Sequence, residues 1–547
     1  MKILIKKMFF ILLAITITLS AQIKNKNQTI KISAENIQSH LNFLASDLCE
    51  GRAPGTKGGT LAAKYIANEF SKIGLKPVFK DSSYLQYVPM HGSFPLPSSK
   101  LILYSESGKK TLKLNSDYLM FNSGQQTFTP LPLPLVFVGY GIIAPEYDYN
   151  DYQSVDVKGK IVVFLEGEPH SIRDDYFDGT NTTIYSYPSS KQRIALSRGA
   201  AGSILIPTDK NISWKERVQE FTFEDITLAY NVSNNLSILI NNRLTESLFK
   251  SARYSFFDII KMQSEGTMIS FPLNIKLSFD GKFKQRDFVS PNIAGLVEGS
   301  DPELKNTCMI VTAHYDHLGI GPPVNGDSVY NGALDNAIGV SVMIEIARAF
   351  SRLPLKPKRS ILFMAVTGEE KGLLGSTYYI DHPVFPLYKT VANLNIDGIA
   401  LFRDFTSVVG IGSSYSSLAD FLAQAVSPFG IEIQEIPPQF KANEEFNRSD
   451  QMTFALAGIP SILILEGLKN RHRSKMVVLN AFIDYMTKKY HTPFDDLNQK
   501  IDYQAAVRHA KLLFTFTNII ANSNEVPHWN SDSPFINARL RSIAEEK

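Results

Sequence analysis

Residues 308–316 read CMIVTAHYD: a short, largely apolar run of six residues ends directly in a histidine and, two residues later, an aspartate. Similar runs and helical patterns follow along the chain, the runs at 361–366, 391–396 and 461–465 and the helices at 340–350, 417–425 and 503–519. Short apolar strands that alternate with helices are typical of a mainly parallel sheet with helices on both faces. We therefore predict an α/β fold with a mainly parallel, mixed sheet beyond about residue 290.

Polar residues follow three of these runs at the point where each run ends. His314 follows the first run, Glu369 and Glu370 follow the second, and Asp397 follows the third. In open α/β sheets, binding sites lie at the carboxyl ends of the strands. We therefore expect these side chains to meet at one edge of the sheet.

Two more candidates lie in predicted loops. Asp335 stands just before the helix at 340–350, and His491 stands before Thr492 and Pro493. Taken singly, each has a simpler interpretation, since an aspartate before a helix commonly caps it. Together with the strand-end residues they supply two histidines, two aspartates and a glutamate. With one carboxylate shared, five such ligands suffice for two zinc ions with positions left for water.

The cysteines exclude one kind of metal site. The chain has two of them, Cys49 and Cys308, and no CxxC pair, so any metal must be held by His, Asp and Glu. Two cysteines in an exported chain can form one disulfide, but sequence alone does not show that they meet.

Five motifs resemble those of one zinc peptidase family, which contains the secreted bacterial leucyl-type aminopeptidases, glutamate carboxypeptidase and the inactive transferrin receptor. In chain order the motifs are AHYDH at 313–317, YNGALDN at 330–336, TGEEKGLLGS at 367–376, NIDG at 395–398 and YHTPFD at 490–495. The segments LASD at 44–47 and EGRAPGT at 50–56 resemble the N-terminal part of the family. The resemblance covers nearly the whole chain after the first 21 residues.

The resemblance implies two Zn²⁺ ions per chain, with the ligands carried over position by position. Asp335 would bridge the two ions, His314 and Asp397 would complete one site, and Glu370 and His491 would complete the other. The inactive receptor members of the family lack ligands, whereas this chain keeps all five. An active enzyme is therefore favoured over a binding protein without activity.

The same resemblance assigns two residues around the metals, and the sequence offers Tyr490 and Arg448 as further candidates. Glu369 would be the general base, and Asp316 would accept the second N–H of His314 and orient its ring. Tyr490 would donate a hydrogen bond to the oxyanion. Arg448 would either face the pocket, as arginines that bind substrate carboxylates do, or be an exposed loop residue.

One motif departs from the family pattern. The family usually has Asp-Asp-Asn-Ala-Ser-Gly around the bridging ligand, and this chain has LDNAIG at 334–339. The bridging Asp335 is kept, while the first Asp and the Ser are lost. We expect a change in the hydrogen bonds around the ligand, and in the rate, without loss of metal binding.

The N-terminus is typical of a signal peptide. Lysines at positions 2, 6 and 7 precede an apolar run at 8–19, and Ser20 and Ala21 follow. The run is too short for a membrane-spanning helix, which needs about 20 residues, although an uncleaved membrane anchor is the alternative interpretation. We predict a protein that is exported to the periplasm or secreted, with no stable membrane span after cleavage of residues 1–21.

The remaining chain divides into a discontinuous catalytic domain with an insertion. We predict that the catalytic domain comprises 28–126 and 273–524, the insertion 127–272 and a C-terminal tail 525–547, with a proline-rich linker at 127–134. The insertion is β-rich with some helix. Its segments FVGYG at 137–141 and DVKGKIV at 156–162 resemble a protease-associated domain.

Composition limits the range of partners. Hydrophobic residues make up 44% and charged residues 20% of the chain, as in soluble globular proteins. The formal net charge is +3, and the sequence has no strongly basic stretch that would favour nucleic acid. We expect a peptide substrate and, from the family, an aminopeptidase. A carboxypeptidase or dipeptidase on the same scaffold, a glutaminyl cyclase-like acyltransferase with one zinc and a non-catalytic binding protein are the alternatives; the sequence does not define the oligomeric state.

Overall fold

The structure is a computed structural model, and it describes residues 31–546 apart from 122–127, 172, 174, 178, 180–182, 233–234 and 437–445. The predicted signal peptide lies outside the described residues. A ten-stranded sheet, called the large sheet below, has a main path of nine strands: Asp225–Leu228, Leu85–Pro95, Phe283–Val297, Ser360–Val366, Cys308–His314, Thr390–Asn395, Ser461–Glu466, Ser407–Ile411 and Glu432–Ile433. A tenth strand, Lys76–Pro77, pairs with Phe283–Val297.

Four neighbouring strands at the centre of the large sheet run parallel to one another: Ser360–Val366, Cys308–His314, Thr390–Asn395 and Ser461–Glu466. Every residue of the first three is buried. Strands on the two flanks of this group join it in antiparallel pairs. The predicted mixed sheet between helices is confirmed, but its antiparallel pairs are as prominent as its parallel ones. The parallel strands lie at the centre, where apolar runs without alternation are typical of strands that are covered on both faces.

Helices cover both faces of the large sheet. They are Ala34–Leu44, Lys57–Lys72, Ile338–Ser351, Leu374–Asp381, Leu418–Val426, Gln451–Leu456, Lys475–Lys488, Tyr503–Asn522 and Ile536–Ala544. Side chains of a strand point alternately to the two faces, so Val311 of the first run packs in the same cluster as Phe350, while Ile310 packs in the opposite cluster with Tyr379. These helices hold the strand ends in fixed positions.

A second sheet has eight strands in the order Gly108–Leu112, Lys100–Ser105, Ser270–Asp280, Phe128–Val138, Ile161–Leu165, Gly202–Ile206, Leu236–Ile240 and Tyr118–Met120. The helices of this part of the chain are Pro188–Ser197, Trp214–Glu220, Thr245–Phe249 and Phe256–Glu265. Two short hairpins, Ile143–Ala144 with Tyr149–Asn150 and Gly319–Val324 with Asp327–Tyr330, form sheets of their own.

The predicted linker at 127–134 is wrong, because the strand Phe128–Val138 occupies most of it. This strand pairs antiparallel with Ser270–Asp280 over most of its length and meets Ile161–Leu165 at 135–137 alone. Its prolines fall at 130, 132 and 134, so their missing N–H groups share one edge of the strand. Among the described residues that half of the strand has a neighbour on one edge only, and such edges are where sheets tolerate proline.

The strands of the second sheet lie on both sides of the predicted boundaries at 127 and 272. Lys100–Ser105 belongs to this sheet although it precedes 127, and Ser270–Asp280 runs across 272. A short strand inside the predicted insertion, Asp225–Leu228, instead pairs with Leu85–Pro95 at the edge of the large sheet. The two parts of the chain are therefore joined by strand pairing as well as by the connecting segments.

The segment predicted as a C-terminal tail has ordered structure. It forms the helix Ile536–Ala544, and Trp529 and Phe535 pack in one cluster with Phe446. The indole N–H of Trp529 donates to the carbonyl of Gly458 at 2.9 Å. These aromatic residues fix the C-terminal segment on the catalytic part of the chain.

The two cysteines, whose pairing the sequence leaves open, lie within the described residues. Cys49 and Cys308 are both buried and do not form a disulfide with each other. None of the helices in the described residues has the length and apolar character needed to cross a membrane.

Candidate metal centre

The predicted strand-end residues meet in one cluster. His314 is the last residue of its strand, and its Nε2 atom lies 3.3 Å from Oδ1 of Asp335 and 3.3 Å from Oδ1 of Asp397. On the other side, Nε2 of His491 lies 3.3 Å from Oδ2 of Asp335 and 3.1 Å from Oε2 of Glu370. The two oxygens of Asp335 thus face different histidines, and the five predicted ligands form two groups that share this carboxylate.

These distances fit metal ligands better than hydrogen bonds. Nε2 of His491 is buried and makes no hydrogen bond of acceptable geometry, although two carboxylate oxygens lie near it. Tetrahedral zinc with bonds of about 2.0–2.1 Å holds neighbouring ligand atoms roughly 3.3 Å apart. The separations between histidine nitrogens and carboxylate oxygens here are 3.1–3.3 Å. The donor set and its spacing therefore fit two zinc ions that share Asp335.

Asp495 positions the bridging residue through the main chain. The backbone N–H groups of Leu334 and Asp335 each donate to its carboxylate at 3.0 Å. Asn336 holds the next loop, because its side chain donates to the carbonyl of Ile396 at 2.8 Å and accepts from the N–H of Gly398 at 3.1 Å. The loop of Asp335 is thereby fixed against the loop that contains Asp397.

Arg52 joins two of the ligand loops from beneath. Its guanidinium is fully buried and donates to the carbonyls of Tyr315 at 2.7 Å, Asn331 at 2.5 Å and Gly332 at 2.8 Å. A buried arginine needs this number of acceptors because its five donors cannot be left without partners. Arg52 therefore explains why the segment EGRAPGT lies under the candidate centre.

Gly51 allows this close packing. Its φ is +65°, and a Cβ atom there would lie 2.4 Å from the carbonyl oxygen of Tyr330 and 2.7 Å from that of Gly319. Any other residue would meet both the backbone strain and the clash. The glycine places the chain so that the next residue, Arg52, enters the core.

The predicted hydrogen bond between His314 and the Asp316 carboxylate is absent. Nδ1 of His314 faces the backbone carbonyl of Asp316 at 3.2 Å, while the nearest carboxylate oxygen is 4.0 Å away. That carboxylate instead accepts the backbone N–H of Glu369 at 3.2 Å. Asp316 thus orients His314 through its main chain and positions Glu369 through its side chain, a division that strand-end position in the sequence does not reveal.

Glu369, which is not one of the five predicted ligands, lies beside two of them, His314 and Asp397. Its carboxylate falls within one group with His314 and Asp397, whose potential ligand atoms all lie within 4.8 Å of one another. Burial raises the pKa of Glu369 well above its usual value, the positive charge of His314 opposes this, and the negative charge of Asp397 adds to it. A nearby cation would lower that pKa and favour the ionised form.

The protonation of the two histidines shows the same surplus of negative charge. Burial works to lower the pKa of His314, but Glu369 and Asp397 outweigh burial and raise it. Burial also works to lower the pKa of His491, but the charges of Glu370 and Asp335 raise it well above its usual value. Metal binding at such a site is coupled to the release of protons from its ligands.

Tyr490 and Arg448 lie on the His491 side. The Tyr490 ring stacks on His491 with centroids 3.8 Å apart, and burial followed by the charge of Asp335 raises the pKa of its hydroxyl. Arg448 is exposed, and its charge works to lower the same pKa. Arg448 is therefore an exposed residue within electrostatic range of Tyr490.

Some residues of the centre had no role assigned from the sequence. They are Arg52, His317, Asp450 and Asp495. Asp450 is buried, accepts the hydroxyl of Ser376 at 2.6 Å and has its pKa raised to about 7 by burial. The sequence signals were weak, since Arg52, His317 and Asp495 stand inside motifs quoted for a neighbour and Asp450 stands outside the quoted motifs. Their partners are distant in the chain.

A mixed sheet between helices, with a shared-carboxylate site at its strand ends, defines the class of α/β zinc metallopeptidases. A sequence profile of peptidase family M28 matches residues 292–517. That segment contains all five candidate ligands and Glu369. This segment of the chain is therefore similar to peptidase family M28.

Individual proteins agree with this assignment. The chain is 26% identical over 272 residues to a probable leucine aminopeptidase 2 of Aspergillus oryzae, covering 48% of this chain and 50% of that protein. It is 37% identical over 110 residues to aminopeptidase YwaD of Bacillus subtilis, covering 20% and 21%. These alignments span half or less of the curated relatives. The solved structure of an aminopeptidase from Aneurinibacillus sp. strain AM-1 shares the fold, with a TM-score of 0.54, 19% identity and coverage of 90% and 95%.

Proposed function

We propose that this protein is a zinc-dependent exopeptidase, an aminopeptidase that removes N-terminal residues from peptides with two Zn²⁺ ions per chain. The observation that carries the proposal is the Asp335 carboxylate, whose two oxygens each lie 3.3 Å from a different histidine nitrogen. His314 and Asp397 would hold one ion with it, and Glu370 and His491 would hold the other. The names of the related aminopeptidases support the same activity.

The protein's own groups define how the reaction would proceed. Two bound zinc ions supply a water of lowered pKa and polarise the scissile carbonyl. Glu369 would accept the proton of that water and deliver it to the leaving amine. Its backbone is held by the Asp316 carboxylate at 3.2 Å, which keeps the base beside the ligands. Tyr490, stacked on His491, would donate its hydroxyl to the oxyanion.

A carboxypeptidase or dipeptidase is the second candidate, and Arg448 is the observation that favours it. The guanidinium is exposed and lies within electrostatic range of Tyr490. An arginine at the edge of the centre fits a substrate carboxylate, because its planar donors match the two oxygens. The choice depends on which end of the peptide the site requires to be free.

We also infer where the protein is located and which residues form the unit built on the second sheet. The residues at 1–21 support export to the periplasm or secretion. The unit built on the second sheet resembles a protease-associated domain, and we propose bounds near 100 and 280 for it, since those residues begin and end its strands. Its strand Asp225–Leu228 would hold it against the large sheet.

The experiment is metal quantitation together with a substrate screen on the purified full-length chain. We expect two zinc ions per chain and cleavage of aminoacyl-nitroanilides and of peptides with a free amine. N-blocked peptides with a free carboxylate would be cleaved instead if the protein is a carboxypeptidase. One tightly bound zinc with cyclisation of an N-terminal glutamine would support the acyltransferase alternative. Absence of zinc and of hydrolysis would overturn the proposed function.

A further inference from the structure

The two carboxylate oxygens of Glu370 face different histidines, His317 and His491. The His317 side chain is fully buried, and its Nδ1 lies 2.6 Å from Oε1 of Glu370. The other oxygen, Oε2, lies 3.1 Å from Nε2 of His491. One oxygen of Glu370 is thus engaged by a histidine outside the proposed ligand set, and the other faces the proposed ligand His491.

The partners fix the tautomer of His317. An ionised carboxylate only accepts hydrogen bonds, so Nδ1 must carry the proton at this short distance. Nε2 is buried and has no hydrogen-bond partner, which suits a bare ring nitrogen better than an N–H group. His317 therefore acts as a single donor aimed at Oε1 of Glu370.

The packing around the ring holds this donor in place. A Cβ atom on Gly332 would lie 2.5 Å from Cγ and 2.6 Å from Cδ2 of His317, so the glycine leaves space for the ring against the Asp335 loop. On another side the ring meets His491 edge-on, with centroids 5.7 Å apart at 62°. The ring is thus packed between the loop of Asp335 and the proposed ligand His491.

We propose that His317 is a positioning residue of the centre, which holds Oε1 of Glu370 so that Oε2 alone is presented to the ion on the His491 side. The inference rests on the proposed two-zinc function. Hydrogen-bonding partners of ligands set ligand orientation, and their loss typically costs about 10–100-fold in metal affinity. A carboxylate without this donor would be free to rotate and would hold the ion less well.

Three substitutions of His317 separate the effect of its hydrogen-bond donor from the effect of its packing. His317→Asn keeps an N–H group at the position of Nδ1, His317→Gln moves the donor to the position of Nε2, and His317→Leu has no donor. Asn and Leu differ little in size, so they form the matched pair. The measurement is zinc affinity for both sites, by titration of the metal-free full-length protein against a chromogenic chelator. Melting of the metal-free variants checks that each one folds.

We expect His317→Leu and His317→Gln to lose about 10–100-fold in affinity for one zinc ion and to keep the other unchanged. We expect His317→Asn to stay within a few-fold of the unsubstituted protein. Unchanged affinity in His317→Leu, or equal losses in the Asn and Leu variants, would overturn the positioning role while leaving the proposed function intact. Unsubstituted protein that binds no zinc would overturn both.

Discussion

Asp335 is the residue on which both halves of the proposed centre depend. It is 6% exposed, and each of its oxygens lies 3.3 Å from a different histidine nitrogen. Burial works to raise its pKa, but the neighbouring His314 and His491 side chains lower it well below the usual value. A residue so placed stays ionised and is available to two cations.

Replacement of Asp335 tests whether its carboxylate is shared by two zinc ions. We predict that Asp335→Asn lowers the affinity for both zinc ions, because the amide offers one oxygen and no negative charge. Asp397→Asn, the matched control on one side only, should weaken a single ion. Zinc content per chain after dialysis measures both. Loss of one ion, or of none, in Asp335→Asn would contradict the bridging assignment.

The sequence predicted those site residues whose position follows from local rules. His314, Glu369, Glu370 and Asp397 end apolar runs, and the sheet brings such ends together. The supporting contacts followed from no local rule. Arg52 reaches main-chain carbonyls more than 250 positions away in the chain, with separations of 263, 279 and 280. A single sequence does not reveal pairings of this kind, because they depend on how distant loops approach each other.

At the scale of the elements, periodicity predicted the central strands and the long helices. The strand Phe128–Val138 was missed because proline is usually a sign of a linker. Among the described residues this half of the strand has a neighbour on one edge only, and that depends on the order of strands in the second sheet. Sheet order is a tertiary property, so residue type alone was misleading.

The helix Pro188–Ser197 contains a buried amine that provides a test of the second sheet. Lys191 donates to the carbonyl of Leu165 at 2.8 Å and also bonds Gly167, and burial lowers its pKa to about 7. The unfolded chain keeps this proton up to a pH of about 10.4. Between these values the unfolded state binds one more proton, so the free energy of unfolding rises with pH.

We predict that Lys191→Met removes this pH dependence. For this single group the slope is about 1.4 kcal/mol per pH unit between pH 7 and 10. The measurement is the melting temperature of the unsubstituted and variant proteins from pH 7 to pH 9.5. The unsubstituted protein should gain stability relative to the variant as pH rises. Parallel curves for the two proteins would show that Lys191 stays protonated in the fold.

At the scale of the whole molecule, the two sheets are joined by specific contacts. The guanidinium of Arg286 binds the carboxylate of Glu224 at 2.6 Å and donates to the carbonyls of Pro54 and Gly55. Thus Glu224, next to the strand Asp225–Leu228, is tied to the segment that leads from Arg52. The insertion is therefore coupled to the base of the candidate centre.

The C-terminal segment packs against the rest of the folded chain. Trp529 is 4% exposed and packs with Phe446 and Phe535. We predict that Trp529→Ala costs about 3–5 kcal/mol in the free energy of unfolding, because truncation of a buried aromatic leaves a cavity. Val526→Ala, at a residue 43% exposed, should stay within about 0.5 kcal/mol. Thermal melting of the two variants measures the difference, and equal melting temperatures would show that the segment is not part of the folded unit.

The base assignment rests on Glu369 lying beside the ligands with its pKa raised by burial. Another half-buried glutamate, Glu466, also has its pKa raised by burial, to about 7, and accepts the backbone N–H of Leu401 at 2.6 Å. It is not among the candidate ligands. Glu466→Gln is therefore a matched control for the loss of a half-buried carboxylate.

The most direct measurement is zinc content together with peptide hydrolysis for Glu369→Gln, with Glu466→Gln as the control. We predict that Glu369→Gln keeps two zinc ions per chain while turnover falls by about 10²–10⁴-fold, because the ligands remain and the proton acceptor is lost. Glu466→Gln should keep both zinc and turnover. Near-normal turnover in Glu369→Gln with two zinc ions bound would contradict the proposed role of Glu369 as the general base.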